Sequence, residues 1–351
     1  MAAYISFQPS DFFNTVLYTG NAAANSVTGV GFTPNFVWFK SRTSVASYQL
    51  IDSVRGNSSS IVSSSAAAAI DPTGDGFTSL DSDGYTFNGS GGGGNVNAAQ
   101  DFVAWNWKGG TTSGIATNGS TTITPSAYSF SQTAGFSVIK YSGNSTGGAK
   151  VAHGLGATPA MVMVKNLGGT DSWMVYHQNS NAVPEDYLLQ LNTTGSVVDN
   201  TMWNDTAPDA VNLTLGTDNG VNGSYDYVAY SFAEKKGYSK FGSYIGNNNV
   251  DGPMIYTGFR PAWVLFKRYD NSENWSLYDN KRGPINVISL GLRPNIDNIE
   301  SNYGGSNTVD FLSNGFKIRE GGTNINNGTY IYSAFAEYPL VSSNSKSGVA
   351  R

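Results

Sequence analysis

Two copies of an Asp-x-x-Arg-Gly motif are the clearest pairing of reactive side chains in this sequence. The first copy is Asp52, Arg55 and Gly56, and the second is Asp279, Arg282 and Gly283. A carboxylate and a guanidinium at this spacing either form a polar pocket for a sugar or a carboxylate, or lock a turn in which glycine takes a positive φ. We favour turn-locking pairs and keep the ligand pocket as the alternative. A third, divergent copy has His177 in place of the aspartate, which fits both interpretations.

Four aspartates in the segment IDPTGDGFTSLDSDG superficially resemble a calcium loop: Asp71, Asp75, Asp81 and Asp83. A true loop alternates acidic ligands and closes with a bidentate glutamate, and this segment has neither feature. Asp-Gly pairs are also common in ordinary turns. We therefore expect no cofactor and no metal site, with calcium in this segment as the alternative.

Three tryptophans, Trp105, Trp107 and Trp203, are candidates for stacking on sugar rings. Indole rings offer a flat apolar face with a polar edge, which suits both a carbohydrate surface and a protein core. Aromatic residues at alternating strand positions are mostly core residues. Both interpretations stay open at this stage.

The residues needed for common catalytic machinery are scarce. The chain has no cysteine, which excludes thiolate chemistry and disulfides, and its two histidines are His153 and His177. Neither histidine lies beside a Gly-x-Ser-x-Gly elbow. We predict no catalytic residues and no enzymatic activity. A pair of distant carboxylates, as in a glycosidase, stays as an alternative.

Composition narrows the class of protein. Of 351 residues, 20 are Lys or Arg and 25 are Asp or Glu, so charged residues make up 13% against a usual share of roughly 25%. The acidic balance and the absence of basic runs exclude a nucleic-acid partner bound through its phosphates. No apolar stretch is long enough for membrane insertion, and 1–11 lacks the pattern of a secretory signal. Glycine (42 residues) and aromatic residues (13%) favour an all-β protein.

Three segments repeat the same order of features. They begin with the strand-and-turn sequences VLYTGN, VIKYSGN and FGSYIGN, and continue with GFTPNFVWFKSR, GATPAMVMVKN and GFRPAWVLFKR. The distance from the proline to a late alanine is 70, 70 and 73 residues, from Pro34 to Ala104, Pro159 to Ala229 and Pro261 to Ala334. This regularity predicts three structural repeats in which Lys40, Lys165 and Lys267 occupy equivalent strand positions.

Each repeat has the length and strand pattern of one β-sandwich. We predict an all-β chain of three tandem sandwiches of lectin-like or jelly-roll type. The expected boundaries are 1–110, 126–234 and 238–340, with a linker at 111–125 and a tail at 341–351. Because the linker is rich in Gly, Ser and Thr, we expect the first repeat to be held more loosely than the other two.

The motifs together resemble a known family. They are the YTGN turn, GF-x-P-x-x-V-W-x-K, the Asp-x-x-Arg-Gly turn, ATPAMVMVKN with TMWNDTAP, and GYSKFGSYIGN with DGPMIYTGFRPAWVLFKR. The chain resembles repeat-containing virion proteins of marine tailed bacteriophages, which are described as having concanavalin-A-like, lectin-type β-sandwich repeats. The resemblance implies a structural or adhesive virion component and carries no catalytic residues. Because 1–11 lacks the pattern of a secretory signal, we expect the protein to be made in the host cytoplasm.

The functional hypotheses follow from this resemblance. The first is a tail-associated fibre or appendage that attaches to host-surface glycans and binds other virion proteins. The second is a capsid decoration or head-fibre protein, and the third is a glycan depolymerase. Sandwich edges with few charges to protect them also predict a homo-oligomer, for which we expect a trimer.

Overall fold

The computed structural model describes residues 5–57, 59–69, 76–89, 96–302, 309–322 and 324–341. Over these ranges the chain forms 26 β-strands and three short 3-10 helices, at Pro9–Asp11, Pro184–Asp186 and Thr201–Trp203. The predicted all-β class with tandem β-sandwiches is confirmed. No helix within the described ranges is long and apolar enough to cross a membrane.

The first unit comprises eight strands: β1 (Phe13–Thr19), β2 (Ala24–Val27), β3 (Phe36–Ser41), β4 (Gln49–Asp52), β5 (Ile61–Val62), β6 (Phe77–Asp81), β7 (Gly84–Asn88) and β8 (Asp101–Trp107). They form an inner sheet of order β1-β8-β3-β4-β5 and an outer sheet of order β2-β7-β6. All pairings are antiparallel, as expected for a sandwich.

The second unit comprises nine strands: β9 (Ala127–Ser131), β10 (Phe136–Ser142), β11 (Ala149–Ala152), β12 (Met161–Asn166), β13 (Met174–His177), β14 (Tyr187–Gln190), β15 (Val198–Asp199), β16 (Asn212–Leu215) and β17 (Asp226–Phe232). Its inner sheet has the order β15-β14-β13-β12-β17-β10-β9, and its outer sheet pairs β11 with β16.

The third unit also comprises nine strands: β18 (Ser239–Ile245), β19 (Met254–Tyr256), β20 (Phe259–Arg268), β21 (Trp275–Asp279), β22 (Leu290–Gly291), β23 (Ser301–Asn302), β24 (Val309–Leu312), β25 (Gly315–Ile318) and β26 (Thr329–Pro339). The inner sheet is β18-β26-β20-β21, the outer sheet is β19-β25-β24, and β22 pairs with β23.

The register confirms that the three lysines are equivalent. Lys40 lies opposite Val103, Lys165 opposite Val228 and Lys267 opposite Ile331, in the pairings of β3 with β8, β12 with β17 and β20 with β26. The alignment of the late alanines is wrong for the third repeat. Ala104 lies opposite Phe39, whereas the corresponding Phe266 lies opposite Tyr332, two residues before Ala334. A shift of two residues keeps the same sheet face, so the apolar pattern could not reveal it.

The three inner sheets share one hydrophobic core. Each sheet directs one face into its own sandwich and the other into a common core, to which each unit contributes buried aromatic residues. The ring of Phe36 lies 4.3 Å from that of Tyr230, and Trp107 lies 5.6 Å from Phe335. Burial on both faces explains why β3, β12 and β20 are nearly continuous apolar runs.

The loose attachment expected for the first unit is therefore wrong. Its inner sheet lies within the common core, and the segment 111–125 packs Ile115 and Ile123 on the second unit. Thr111 exchanges hydrogen bonds with Phe130, and Ile123 bridges Val151. Composition alone suggested a flexible linker, but these backbone hydrogen bonds hold it in place.

The Tyr-x-Gly-Asn turns are fixed by one arrangement in all three units. The tyrosine hydroxyl donates a 2.6 Å hydrogen bond to a backbone carbonyl far along the chain: Tyr18 to Val96, Tyr141 to Val221 and Tyr244 to Ile325. The residue after that carbonyl is a buried asparagine whose side-chain oxygen accepts from the turn backbone: Asn97 from Asn21, Asn222 from Asn144 and Asn326 from Asn247. Each turn is thus tied to the segment that leads into the last strand of its unit.

The glycines of these turns are required by space. A Tyr-x-Gly-Asn sequence favours a turn in which glycine takes a positive φ, but positive φ occurs two residues later, at Ala22, Ser145 and Asn248. A Cβ on the turn glycine would instead meet the backbone of the closing segment. At Gly143 it would lie 2.2 Å from the Gly223 carbonyl oxygen.

We expect Gly143→Ala to lower the free energy of unfolding by about 1–3 kcal/mol, because the added methyl group forces backbone apart. Gly119→Ala is the matched control, since its Cβ would meet nothing within 4 Å. Urea unfolding of both variants measures the effect. Equal stability of the two variants would contradict this explanation of the motif.

Candidate functional site

The first Asp-x-x-Arg-Gly copy is a buried ion pair. The Arg55 Nε donates to Asp52 Oδ2 over 2.6 Å, and both side chains are almost fully buried. Asp52 Oδ1 accepts from the backbone N–H groups of Val54 and Arg55, which closes the turn. Gly56 has φ +80°, the left-handed conformation that glycine adopts at little cost.

The second copy repeats this geometry with a different role for its glycine. Arg282 Nε donates to Asp279 Oδ2 over 2.6 Å, and Asp279 Oδ1 accepts from the backbone of Arg282. Gly283 needs no positive φ, but a Cβ there would lie 2.8 Å from Ile288 Cγ2. Neither arginine faces an open cleft without its aspartate, so the geometry matches turn-locking pairs.

Each of these aspartates also accepts a hydrogen bond from the neighbouring unit, which the sequence did not reveal. The Tyr230 hydroxyl of the second unit donates to Asp52 Oδ2 over 2.6 Å, and the Trp105 indole Nε1 of the first unit donates to Asp279 Oδ2 over 3.1 Å. Strand register places Trp105 and Tyr230 at equivalent positions. The motif therefore joins units as well as locking turns.

Charge balance explains why these pairs survive burial. Burial alone would lower the pKa of Arg55, but the Asp52 carboxylate outweighs it and the net pKa is raised. The same competition, with Asp279 and Glu300 as the anions, raises the pKa of Arg282. Both guanidinium groups are thus held in the charged state.

The three equivalent lysines make a second set of contacts between units. Each ammonium donates to the carbonyl six residues later and to a carbonyl of a neighbouring unit: Lys40 to Ala46 and Asp297, Lys165 to Asp171 and Ala66, and Lys267 to Glu273 and Thr194. Burial lowers the pKa of each lysine to about 8, against the opposing effect of a nearby carboxylate. These contacts run from the first unit to the third, the second to the first and the third to the second, which closes the ring.

The tryptophans proposed for glycan stacking are buried, so that interpretation is wrong. Trp105, Trp107 and Trp203 are 0%, 1% and 3% exposed. The first two lie in the common core, and Trp203 packs inside the second sandwich. Alternation along a strand identified the buried face but not the second layer that covers it.

The aspartates of the calcium-like segment serve as turn acceptors where they are described. Asp83 accepts from the backbone N–H groups of Gly31 and Gly29, and these bonds lower its pKa. Asp81 accepts from the hydroxyls of Ser79 and Thr86. Asp71 and Asp75 lie outside the described residues. No three His, Asp or Glu side chains of the described ranges are grouped to hold a metal ion.

Both histidines are buried and structural. Burial lowers the pKa of each to about 4, although carbonyl contacts oppose it. His153 Nε2 lies 3.0 Å from the Asp209 carbonyl oxygen, and His177 Nε2 lies 3.2 Å from that of Tyr332 in the third unit. His177 thus makes the unit-to-unit contact that the aspartates make elsewhere in the ring.

A cleft of about 210 Å³ lies where the third unit meets the first. Phe13, Ala262 and Ala336 form its apolar part, while Thr15 and Asn280 are polar side chains that are 4% and 6% exposed. Thr15 Oγ1 and Asn280 Oδ1 are buried and have no hydrogen-bond partner in the protein. A buried polar atom without a partner costs free energy, and two such atoms line this cleft.

The positions equivalent to Thr15 in the other units have apolar side chains. Thr15 corresponds by register to Val138 and Phe241, which are 0% and 1% exposed. At the junction of the second and third units, Gln178 corresponds to Asn280 and donates to the Phe241 carbonyl over 2.9 Å. The cleft is therefore a departure from the common design, produced by a small polar residue where the neighbouring units have larger apolar ones.

Comparison with known proteins identifies one family. Residues 8–339 match the family model described as "Domain of unknown function (DUF7483)". The chain belongs to the DUF7483 family. No curated protein and no solved structure matches it. The DUF7483 match spans all three units and includes the cleft.

For this DUF7483 chain, we expect Arg282→Ala to lower the free energy of unfolding by about 3–5 kcal/mol, because Asp279 is left as an unpaired buried charge. Arg319→Ala is the control, since the Arg319 side chain is 40% exposed and forms a surface ion pair. Thermal unfolding of both variants measures the difference. A melting temperature for Arg282→Ala equal to that of the control would show that the pair does not lock the turn.

The low pKa of His177 predicts a pH-dependent contribution to stability. Between pH 6.5 and about 4 the unfolded chain binds a proton at His177 that the folded chain does not, so stability falls as pH falls through this window, by at most about 3 kcal/mol. Burial raises the pKa of Glu320 to about 7, which has the opposite sign. Because Glu320 is present in both the wild type and His177→Gln, its contribution cancels in the difference between their stabilities.

We expect the stability advantage of the wild type over His177→Gln to be smaller at pH 4.5 than at pH 7.5. Urea unfolding at the two pH values gives both differences. An advantage of equal size at both would mean that His177 is not held neutral by burial.

Proposed function

We propose that this chain is a non-enzymatic structural protein of a bacteriophage virion, located on a tail-associated appendage that attaches to the host surface. The resemblance to repeat-containing virion proteins supports this proposal, as does the arrangement of stacked β-sandwiches. In this role the protein works without a cofactor, and its partners are other virion proteins and host-surface glycans.

The observation that carries the proposal is that the buried charged side chains hold turns in place and join the units. Asp52 and Asp279 are saturated by an arginine, by turn backbone and by the neighbouring unit. The three equivalent lysines join units, and both histidines are held neutral. Groups committed in this way stabilise a rigid body and are not available for proton transfer to a substrate.

Assembly into multiple copies fits the outer edges of the sandwiches. In the third unit the edge strand β19 exposes Met254 (42%) and Tyr256 (57%), and neither is charged. An unprotected edge favours pairing with another chain. We propose that the protein acts either as a homo-oligomer, for which we expect a trimer, or as many copies bound to one particle.

A capsid decoration or head-fibre protein is the second candidate, and one observation favours it. The lysine contacts run around a closed ring of three units, so a single chain has approximate threefold repetition. Such a body suits a threefold position on a capsid, where three similar contacts are available.

Cryo-electron microscopy of intact virions, with an antibody against the chain, separates these candidates. We expect density for the three-unit ring on the tail, and purified chain should compete with phage adsorption to host cells. Density on the head would favour the second candidate. Absence from virions, or release of reducing sugar from host exopolysaccharide by the pure protein, would contradict the proposal.

A further inference from the structure

We propose that the cleft between the third and first units, lined by Thr15 and Asn280, binds a single neutral sugar residue of a glycan. The inference deepens the attachment role and rests on it, because it names the ligand that an attachment protein would hold. It places the ligand at a junction of units, in a cleft that none of the three tryptophans considered first lines.

The unpartnered atoms define the chemistry of the ligand. Asn280 Oδ1 is an acceptor, and Thr15 Oγ1 is a hydroxyl that both donates and accepts. A third group, Glu337, forms an ion pair with Arg260, with 2.9 Å between Glu337 Oε2 and Arg260 Nε. That contact does not have the angle of a hydrogen bond, so Glu337 Oε2 still has capacity to accept. A fitting ligand therefore presents several hydroxyl donors.

The polar and charged groups that line the cleft disfavour a charged ligand. An anion in the cleft would face the acceptor oxygens of Asn280 and Glu337, whereas a cation would face the exposed Lys281. A neutral polyol avoids both conflicts and satisfies the buried acceptors.

The shape and lining of the cleft favour a sugar ring over other neutral polyols. Tyr338 lines the cleft and is 49% exposed, and a tyrosine ring offers an apolar face to the C–H face of a sugar. Phe13, Ala262 and Ala336 supply an apolar surface on the inner side. The volume of about 210 Å³ is below the usual 300–1,000 Å³ of drug-sized sites, so one residue fits and an extended oligosaccharide must continue outside.

Saturation-transfer NMR on the full chain tests the proposal with methyl glycosides of glucose, galactose, mannose and N-acetylglucosamine, and with methyl glucuronide as an anionic probe. We expect at least one neutral glycoside to bind more tightly than the glucuronide. Absence of binding by every neutral glycoside, or preference for the glucuronide, would overturn the inference.

Thr15→Phe introduces the side chain found at the equivalent position of the third unit and should fill the cleft. We expect at least a tenfold loss of glycoside affinity with a melting temperature at or above that of the wild type. Thr15→Val, which removes only the hydroxyl group, provides a milder change if the larger side chain prevents folding, and should weaken binding about tenfold. Unchanged affinity in the folded variant would overturn the inference.

Tyr338→Ala and Tyr256→Ala form a matched pair, because both tyrosines are about half exposed but Tyr256 lies on β19, away from the cleft. We expect several-fold weaker binding for the first and no change for the second. Virion localisation is measured separately. If the chain is found on virions but its cleft binds no sugar, this inference is overturned and the structural role stands. If the cleft binds sugar but the chain is absent from virions, the inference about the cleft stands and the proposed virion role is overturned.

Discussion

The structure depends on burial of the inner sheets on both faces. A sheet with one solvated face can leave its polar side chains to water, but these sheets face their own sandwich on one side and two other units on the other. Polar groups on them need partners inside the protein. Those partners come from the next unit, as when Tyr230 donates to Asp52 and Trp105 to Asp279. The common core thus makes folding of each unit and assembly of the ring interdependent.

The sequence predicted those parts of the fold that follow from local pattern. Repeats, strands, turns and the equivalence of Lys40, Lys165 and Lys267 all follow from spacing and alternation. Alternation identified Trp105 and Trp107 as facing one side of a sheet, but it contains no information on whether solvent or another unit lies there. The linker prediction failed for a related reason, because glycine and serine content does not show where backbone hydrogen bonds will form.

The candidate site was predictable to the same extent. An aspartate and an arginine three residues apart can pair within one turn, and that contact was accessible from the sequence. The hydrogen bond from Tyr230 to Asp52 joins residues separated by 178 positions, so it required the fold. The cleft was less accessible still. Thr15 is notable only when the register aligns it with Val138 and Phe241, and no motif marks it.

Comparison of the three junctions indicates how a repeated architecture acquires a specific site. The ring is held by a feature that all units keep, namely the lysine contacts, and each unit is in turn closed by its own tyrosine-tied turn. The junction positions differ: the third unit has Asp279 and Asn280, whereas the second has His177 and Gln178 and closes its contact by donating to Phe241. Because the shared lysine contacts hold all three junctions, one junction tolerates a small polar side chain where the other two have larger apolar ones. Repetition therefore supplies the stability that allows one junction to open as a polar cleft.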